Sequence, residues 1–187
     1  MKICKIQVAL LSFMFFHFLI GVWTALYNMD YFENVYVTED GMIEWYTVDA
    51  LIMCAAVCGW NFFKLRKHRK PCFSGVLAFL CLLFLFGAME EISWGQRILN
   101  IESHEFFTEN NAQGETNFHN LVVGDTKVNK VIFSKLLGFF VISYILIFPA
   151  LYSKLAFIRR LAAKFAVPVP RWIHVFCYLL LASAYPL

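Results

Sequence analysis

Acidic, basic and imidazole side chains are gathered in one polar stretch near the middle of an otherwise apolar chain. Glu90, Glu91 and Arg97 lie in its first part, and Glu115 and His119 lie in its second part. One carboxylate of this group could act as a general base on a water molecule. The arginine could bind an anionic head group or a developing negative charge. These residue types predict Glu90, Glu91 and Arg97 as candidate catalytic residues.

The second part of the polar stretch could bind a metal ion. A helix could begin after the turn residue Gly114, and Glu115 and His119 would then lie four residues apart on one face. A carboxylate and an imidazole so placed can share one ion. Glu44 and Asp49 could complete the ligand set at the same membrane depth. The pattern therefore predicts a site for a hard or borderline divalent metal ion.

A structural role for the same residues stays open as an alternative. Glu115 in a first helical turn would interact favourably with the helix dipole, and His119 could be a capping or hydrogen-bonding residue. Glu90 and Arg97 could form an ion pair that locks a loop folded back over the helices. In that case the polar stretch would hold the fold together and carry out no reaction.

The elements that must position these residues are membrane-spanning helices. The chain has 187 residues, of which 60% are hydrophobic and 16% are charged. Typical soluble domains carry about a quarter charged residues, and a helix of about 20 residues crosses a bilayer core. Long apolar segments predict spans at residues 6–29, 42–63, 72–89, 131–153 and 172–187.

We therefore predict an all-α fold, a polytopic membrane bundle of four to five transmembrane helices with a long polar extracytoplasmic loop. The bundle forms a single membrane domain over residues 1–187. The last predicted span is short, so we expect either a chain that is a fragment or a final helix that is tilted or partial.

The third predicted span brings Glu90 to the outer membrane surface. If its helix continues to about Leu99, Glu90, Trp94 and Arg97 lie on one face. Arg97 can then pair with a carboxylate of its own helix or of the second span. Asp49 lies one to two turns inside the second predicted span, where an ionisable group is a functional hypothesis by default. Its structural alternative is a buried partner of Arg97 or of the Thr47 and Tyr46 hydroxyls.

The distribution of charge predicts the orientation of the chain. Twelve of the 16 Lys and Arg residues lie before the first span, between the second and third, or between the fourth and fifth. All 13 Asp and Glu residues lie on or near the opposite face. Because positively charged loops stay in the cytoplasm, we predict a cytoplasmic N-terminus. We expect a multi-pass cell-membrane protein, with the bacterial inner membrane as its location and membrane lipids as its partners. The sequence has no basic run interleaved with aromatic residues in a soluble segment, so we predict no nucleic-acid partner.

Two blocks of the polar stretch, EEISWGQR and NAQGETNFHN, resemble those of a family of uncharacterised, mostly bacterial, multi-pass membrane proteins. A Gly-x-x-Glu-Trp start of the second span, at Gly41, Glu44 and Trp45, resembles that family too. The resemblance implies no activity. It implies a signature on one membrane face made of Glu44, Glu90, Glu91, Gln96, Arg97, Gln113, Glu115, Asn117, His119 and Asn120.

The chemistry of the polar stretch is similar to that of alkaline ceramidases and related membrane hydrolases. These enzymes gather acids and histidines around zinc at one end of a helical bundle. The present chain departs from them because it has no HxxxH pair and five predicted spans at most. This likeness implies a type of chemistry and no particular substrate.

Two classes of function follow. The first is a metal-dependent, membrane-embedded hydrolase or transferase that acts on a lipid or lipid-linked substrate. The second is a non-enzymatic transporter or assembly subunit, in which the acids form a cation site or a structural lock. The predicted spans contain no run of charges that would mark an ion path, and this weakens the hypothesis of a transporter.

Overall fold

The computed structural model describes residues 5–38, 41–124 and 126–183, and helices dominate this part of the chain. Two compact units can be distinguished. One consists of Met1–Tyr46 with Phe176–Leu187, and the other consists of Thr47–Val175. The expected predominance of helix is confirmed. The single membrane domain over residues 1–187 stays a prediction.

Four helices of the described chain are long and apolar enough to cross a membrane: Val8–Tyr27, Met42–Leu65, Pro71–Glu91 and Leu137–Lys154. They overlap the first four predicted spans. Long, largely apolar runs favour helices in a membrane because a helix satisfies its backbone hydrogen bonds internally. The fifth predicted span begins as a helix at Trp172, and its residues 184–187 lie outside the described residues.

The first unit contains α1 (Lys5–Tyr27), the short α2 (Met29–Tyr31), a π-helical turn (Phe32–Tyr36) and the start of α3 (Met42–Leu65). Tyr36 fixes the π-helical turn to α1. Its side chain is 3% exposed, and its hydroxyl donates a hydrogen bond to the carbonyl oxygen of His17 at 2.8 Å. Burial, reinforced by the nearby Tyr46, raises the pKa of Tyr36.

Gly41 precedes α3 at a point where only glycine fits. A Cβ atom at this position would lie 2.5 Å from the carbonyl oxygen of Thr38 and 2.9 Å from that of Val35. The Gly41 amide donates a hydrogen bond to the same Thr38 oxygen at 2.8 Å. The close backbone approach therefore gives a physical reason for glycine in the Gly-x-x-Glu-Trp pattern.

The second unit contains the rest of α3 and the ten elements that follow it in the chain. In order they are α4 (Pro71–Glu91), a 3₁₀ turn (Ser93–Gly95), α5 (Gln96–Leu99), α6 (Glu105–Asn110), β1 (Val122–Val123), β2 (Thr126–Lys127), a π-helical segment (Asn129–Leu136), α7 (Leu137–Ile142), a second π-helical segment (Ser143–Ile147) and α8 (Phe148–Lys154). Two last helices complete the described chain, α9 (Ala156–Lys164) and α10 (Trp172–Ser183).

The polar loop of the second unit runs from the end of α4 to β1. The helix before it, α4, has Pro71 at its first position and buries Leu77 and Ala88. The loop ends in the antiparallel pair β1–β2, with Val122 opposite Lys127. An isolated bridge between Asn111 and Leu121 closes the loop on itself. The end of α4 and this closure hold the candidate functional residues in place.

Candidate functional site at the C-terminal end of α4

α4 ends at Glu91, and the chain reverses in a left-handed turn. Ser93, Trp94 and Gly95 have φ angles of 46°, 56° and 76°. A left-handed conformation costs non-glycine residues roughly 1–2 kcal/mol each, so long-range contacts must stabilise Ser93 and Trp94. The helix does not continue to Leu99, so Glu90, Trp94 and Arg97 do not share one helix face.

Glu90 is a buried carboxylate with several donors. It is 5% exposed. Its Oε1 accepts a hydrogen bond from Trp94 Nε1 at 2.6 Å, and its Oε2 accepts bonds from the backbone amides of Phe118 and His119 at 2.7 and 3.2 Å. Charged acceptors form the stronger class of hydrogen bond. Glu90 therefore joins the end of α4 to a segment 28 residues further along the chain.

Ser93 and Asn117 form the fully buried centre of the polar loop, at 0% and 1% exposure. Asn117 Nδ2 donates to Ser93 Oγ at 2.8 Å, and Ser93 Oγ donates to Glu115 Oε2 at 2.5 Å. Asn117 Oδ1 accepts from Asn111 Nδ2 at 2.9 Å and from the Asn120 amide at 3.2 Å. Because buried polar groups must be paired, this network specifies one arrangement of the loop.

The helix expected after Gly114 does not form, which corrects the placement of Glu115 and His119 on one helix face. Residues 115–120 are turns and bends. Asn111 Oδ1 accepts hydrogen bonds from the amides of Gln113 and Glu115, at 2.9 and 3.3 Å. An asparagine side chain that binds backbone two to four residues ahead competes with helix formation.

Arg97 pairs with a carboxylate of the polar loop. Its Nε lies 3.2 Å from Glu115 Oε1, and the two side chains are 31% and 16% exposed. A further partner of Arg97 from its own helix or from the second span stays a prediction. The turn at Ser93–Gly95 redirects α5, so that Arg97 meets the residue that Ser93 also contacts.

Amide side chains complete the frame of the loop. Gln96 Nε2 donates to Ser103 Oγ at 2.6 Å, and Gln96 Oε1 accepts from the Thr116 amide at 2.8 Å. Asn120 Nδ2 donates to Gln113 Oε1 at 2.6 Å. The amides of the sequence signature are thus hydrogen-bonded to other parts of the same loop.

Glu91 differs from the other two acids of the cluster. It is half-buried at the last residue of α4, and it has no hydrogen-bond partner among the residues that the structure describes. Glu90 and His119 are both close enough to act on it electrostatically. The Nδ1 atom of His119 lies 3.8 Å from Glu90 Oε2, an ion-pair distance. Glu91 therefore lies within electrostatic range of both Glu90 and His119.

The predicted metal ligands do not form a preformed site in the described residues. Glu44 lies half-buried in the first turn of α3 and belongs to the first unit, whereas Asp49 is exposed on α3. Across residues 5–38, 41–124 and 126–183, no three His, Cys, Asp or Glu side chains are grouped to hold one ion. Binding of a divalent ion by Glu115, His119, Glu44 and Asp49 stays a prediction.

Sequence reasoning missed Ser93, Asn111, Ser103 and Thr116 as parts of the frame. Ser93 was visible inside the EEISWGQR block, yet a single serine gives no signal of burial. The contacts of Asn111 and Ser103 depend on how the loop closes. Only the abundance of amides and hydroxyls in residues 90–120 indicated that a hydrogen-bonded network could form.

Comparisons of this chain with protein-family models, curated proteins and solved structures found no match. The resemblance to a family of uncharacterised membrane proteins and the likeness to alkaline ceramidases therefore stay predictions. Any functional conclusion depends on the geometry of the residues themselves.

Proposed function

We propose that this chain is a multi-pass membrane protein that acts as a hydrolase or transferase on a lipid or lipid-linked substrate at the outer membrane surface. The four apolar helices support the multi-pass placement. The gathering of basic residues on one side supports a cytoplasmic N-terminus and an outer polar loop.

One observation carries the proposal, namely that the three acids of the cluster differ in their surroundings. Glu90 and Glu115 accept hydrogen bonds that hold the loop together. Glu91 has none among the described residues and is half-buried. A general base needs a carboxylate that a substrate proton can reach, and partial burial makes such a group more basic than one in water. Glu91 is the acid of the cluster that meets this condition.

His119 is the second acid–base group of the proposed site. Its backbone amide is bound by Glu90, and the Glu90 carboxylate lies on the Nδ1 side of the imidazole. A carboxylate at that position orients the ring and stabilises its protonated form, which suits an imidazole that gives and takes protons. In this role Glu90 is a positioning residue, and Glu91 and His119 exchange the protons.

The surroundings of the site favour a lipid as substrate. Glu91 is the last residue of a candidate membrane span. The following part of the polar loop exposes the large apolar side chains of Ile98, Leu99 and Ile101, at 63%, 66% and 57%. Exposed apolar residues at the end of a span suit the interface between acyl chains and head groups. Arg97, held by Glu115, is placed to meet an anionic head group.

A second candidate function is a non-enzymatic one, in which the polar loop is a structural lock of a transporter or assembly subunit. The density of hydrogen bonds around Ser93 and Asn117 favours it. A lock of this kind would need Glu90 and Glu115, and it would not need an acid at position 91. The enzymatic function therefore requires the Glu91 carboxylate, whereas the structural lock does not.

Lipid turnover by purified protein tests the proposal. Wild type, Glu91→Gln and the control Glu102→Gln, an exposed acid of the same loop, are incubated with a total lipid extract of the expression host. Lipid species are then quantified by mass spectrometry. We expect new products with wild type and the control, and a rate at least about 100-fold lower with Glu91→Gln. Equal lipid profiles for wild type and Glu91→Gln would contradict the enzymatic proposal and favour the lock.

A further inference from the structure

A basic, amphipathic helix follows the last candidate span. In α9, helical spacing places Ile158, Leu161 and Ala162 toward one side. Phe157 lies at the edge of that side, with Lys164 and Arg160 next to it. Ala162 is 5% exposed, and α9 contacts α4 within the second unit. Part of the apolar face is therefore used in packing.

The remaining edge of α9 combines an exposed aromatic residue with two exposed cations. Phe157 is 60% exposed, and Arg160 and Lys164, three and seven residues later, are exposed on the adjoining side. Leu155, just before the helix, is 46% exposed. An apolar ring beside two basic side chains is the arrangement with which interfacial helices enter the boundary between lipid head groups and acyl chains.

Local contacts hold this edge at the end of a span. A single residue, Leu155, separates α8 from α9. Arg159 Nη1 donates hydrogen bonds to the carbonyl oxygens of Tyr152 and Ser153, at 3.1 and 3.0 Å, which fixes the corner between the two helices. The span Leu137–Lys154 thus positions α9 where a membrane-crossing helix leaves the bilayer.

The segment after α9 is also attached to the same span. The Val167 amide donates to the Ala162 carbonyl at 3.0 Å, and Tyr144 donates from its hydroxyl to the Pro168 carbonyl at 2.6 Å. Both ends of α9 are therefore fixed relative to the helix that contains Tyr144. Because the helix is held in this way, binding does not have to order its backbone.

The charge of this region has no acidic counterpart in the nearby sequence. No Asp or Glu follows Asp125, whereas Lys154, Arg159, Arg160 and Lys164 lie within eleven residues. Among the described residues, neither Arg160 nor Lys164 forms an ion pair. Lys164 Nζ lies 5.1 Å from the centroid of the Phe165 ring. The phosphate groups of anionic lipids can supply the complementary charge at a membrane surface.

We infer that the edge formed by Phe157, Arg160 and Lys164 binds the head groups of anionic phospholipids. The two cations contact lipid phosphate, and Phe157 enters the acyl boundary beneath them. This binding is independent of the proposed reaction at Glu91. It would couple the position of α9, and through their contact that of α4, to the lipid composition of the membrane.

The test uses purified full-length protein in neutral detergent with added phosphatidylglycerol or phosphatidylcholine of the same acyl chains. Lipid retained on the protein is measured by native mass spectrometry. We expect wild type to retain phosphatidylglycerol in preference to phosphatidylcholine. Each cation near a membrane surface contributes about five-fold in affinity, so Arg160→Gln with Lys164→Gln should weaken phosphatidylglycerol binding about 25-fold.

Two control variants separate lipid binding from folding and from net charge. Lys127→Gln with Lys135→Gln removes the same charge from exposed positions outside α9 and should keep the preference. Arg160→Lys with Lys164→Arg keeps the charge of α9 and should keep it as well. The inference is overturned if wild type shows no preference, or if the Arg160→Gln, Lys164→Gln protein binds phosphatidylglycerol as tightly as wild type.

Discussion

Two adjacent carboxylates at the end of α4 have different surroundings. The oxygens of Glu90 accept hydrogen bonds from an indole and two backbone amides. Glu91 is half-buried and has no such partner among the described residues. Consecutive residues of a helix point about 100° apart, so one acid can face the loop while its neighbour does not. We interpret the first as part of the frame and the second as the chemical group.

Asn117 should be the most sensitive amide of the loop. Replacement by alanine removes the side-chain bonds to Ser93, Asn111 and the Asn120 amide from the buried centre of the loop, while Asn111 Nδ2 keeps its bond to the Asn117 carbonyl oxygen. We expect Asn117→Ala to lower the free energy of unfolding by about 3 kcal/mol. Thermal unfolding in detergent measures this loss. Asn110→Ala, which loses one local bond to the Phe106 carbonyl, is the control, and an equal effect of both variants would show that the network is not central.

The ion pair between Arg97 and Glu115 should contribute little to stability. Both side chains keep some contact with solvent, at 31% and 16% exposure. Pairs that solvent reaches typically contribute about 0–1 kcal/mol. Arg97→Gln should therefore change the unfolding midpoint by no more than about 3 °C, while lipid turnover falls if the guanidinium meets an anionic head group. A large loss of stability with unchanged turnover would reverse the roles given to Arg97.

Among the elements, α4 illustrates what the sequence can predict. An uncharged apolar run after Pro71 predicts a helix and its start, and the structure places the helix at Pro71–Glu91. Its end could not be predicted in the same way. Ser93 and Trp94 have no intrinsic preference for the left-handed region, and the bonds that stabilise the turn come from residues 115–118. Contacts between residues so distant in sequence leave no local pattern.

The expected helix after Gly114 failed for a related reason. The spacing of Glu115 and His119 fits a helix, but the spacing of the asparagines fits a loop in which side chains bind backbone amides. Asn111 and Asn117 both do so. Where such side chains are dense, side-chain hydrogen bonds outweigh a helical spacing of two charged residues. The residue types of the site were thus predictable, and its geometry was not.

Substitution of two glycines by alanine should change the free energy of unfolding in opposite directions. Gly41 precedes α3, and Gly75 lies inside α4. Gly41→Ala places a methyl group 2.5 Å from the Thr38 carbonyl oxygen, so the backbone must shift. We expect a loss of about 2 kcal/mol. At Gly75, inside α4, an added Cβ meets nothing within 4 Å, and Gly75→Ala should stabilise the helix by about 0.5–1 kcal/mol. Unfolding midpoints that shift in the same direction for both variants would contradict this reading.

The end of α9 offers a stabilising substitution. Ala166 has a φ of 52°, just after the helix, where a left-handed residue usually is glycine. The Val167 amide then closes the helix on the Ala162 carbonyl. We expect Ala166→Gly to raise stability by about 1 kcal/mol, because glycine adopts this conformation without a Cβ clash. A lower unfolding midpoint would show that Ala166 has a packing role that outweighs its strain.

At the scale of the whole molecule, the proposed orientation depends on charge alone. Four apolar helices are compatible with a multi-pass protein, and the basic residues decide which loops lie inside. Single cysteines at Glu102 and Lys67, introduced into a cysteine-free background, test this in intact cells with a membrane-impermeant maleimide. We expect Glu102→Cys to react and Lys67→Cys to react only after permeabilisation. Labelling of both in intact cells would contradict the four-span topology.

The division of labour between Glu90 and Glu91 is tested most directly by thermal unfolding of Glu90→Gln and Glu91→Gln side by side in one detergent. Glu90→Gln weakens its bonds to the polar loop and should lower the midpoint by about 5–10 °C. Glu91→Gln removes a half-buried charge that no hydrogen bond from the described residues stabilises, and its midpoint should equal or exceed that of wild type. An equal loss in both variants would contradict this division and would place Glu91 in the structural lock.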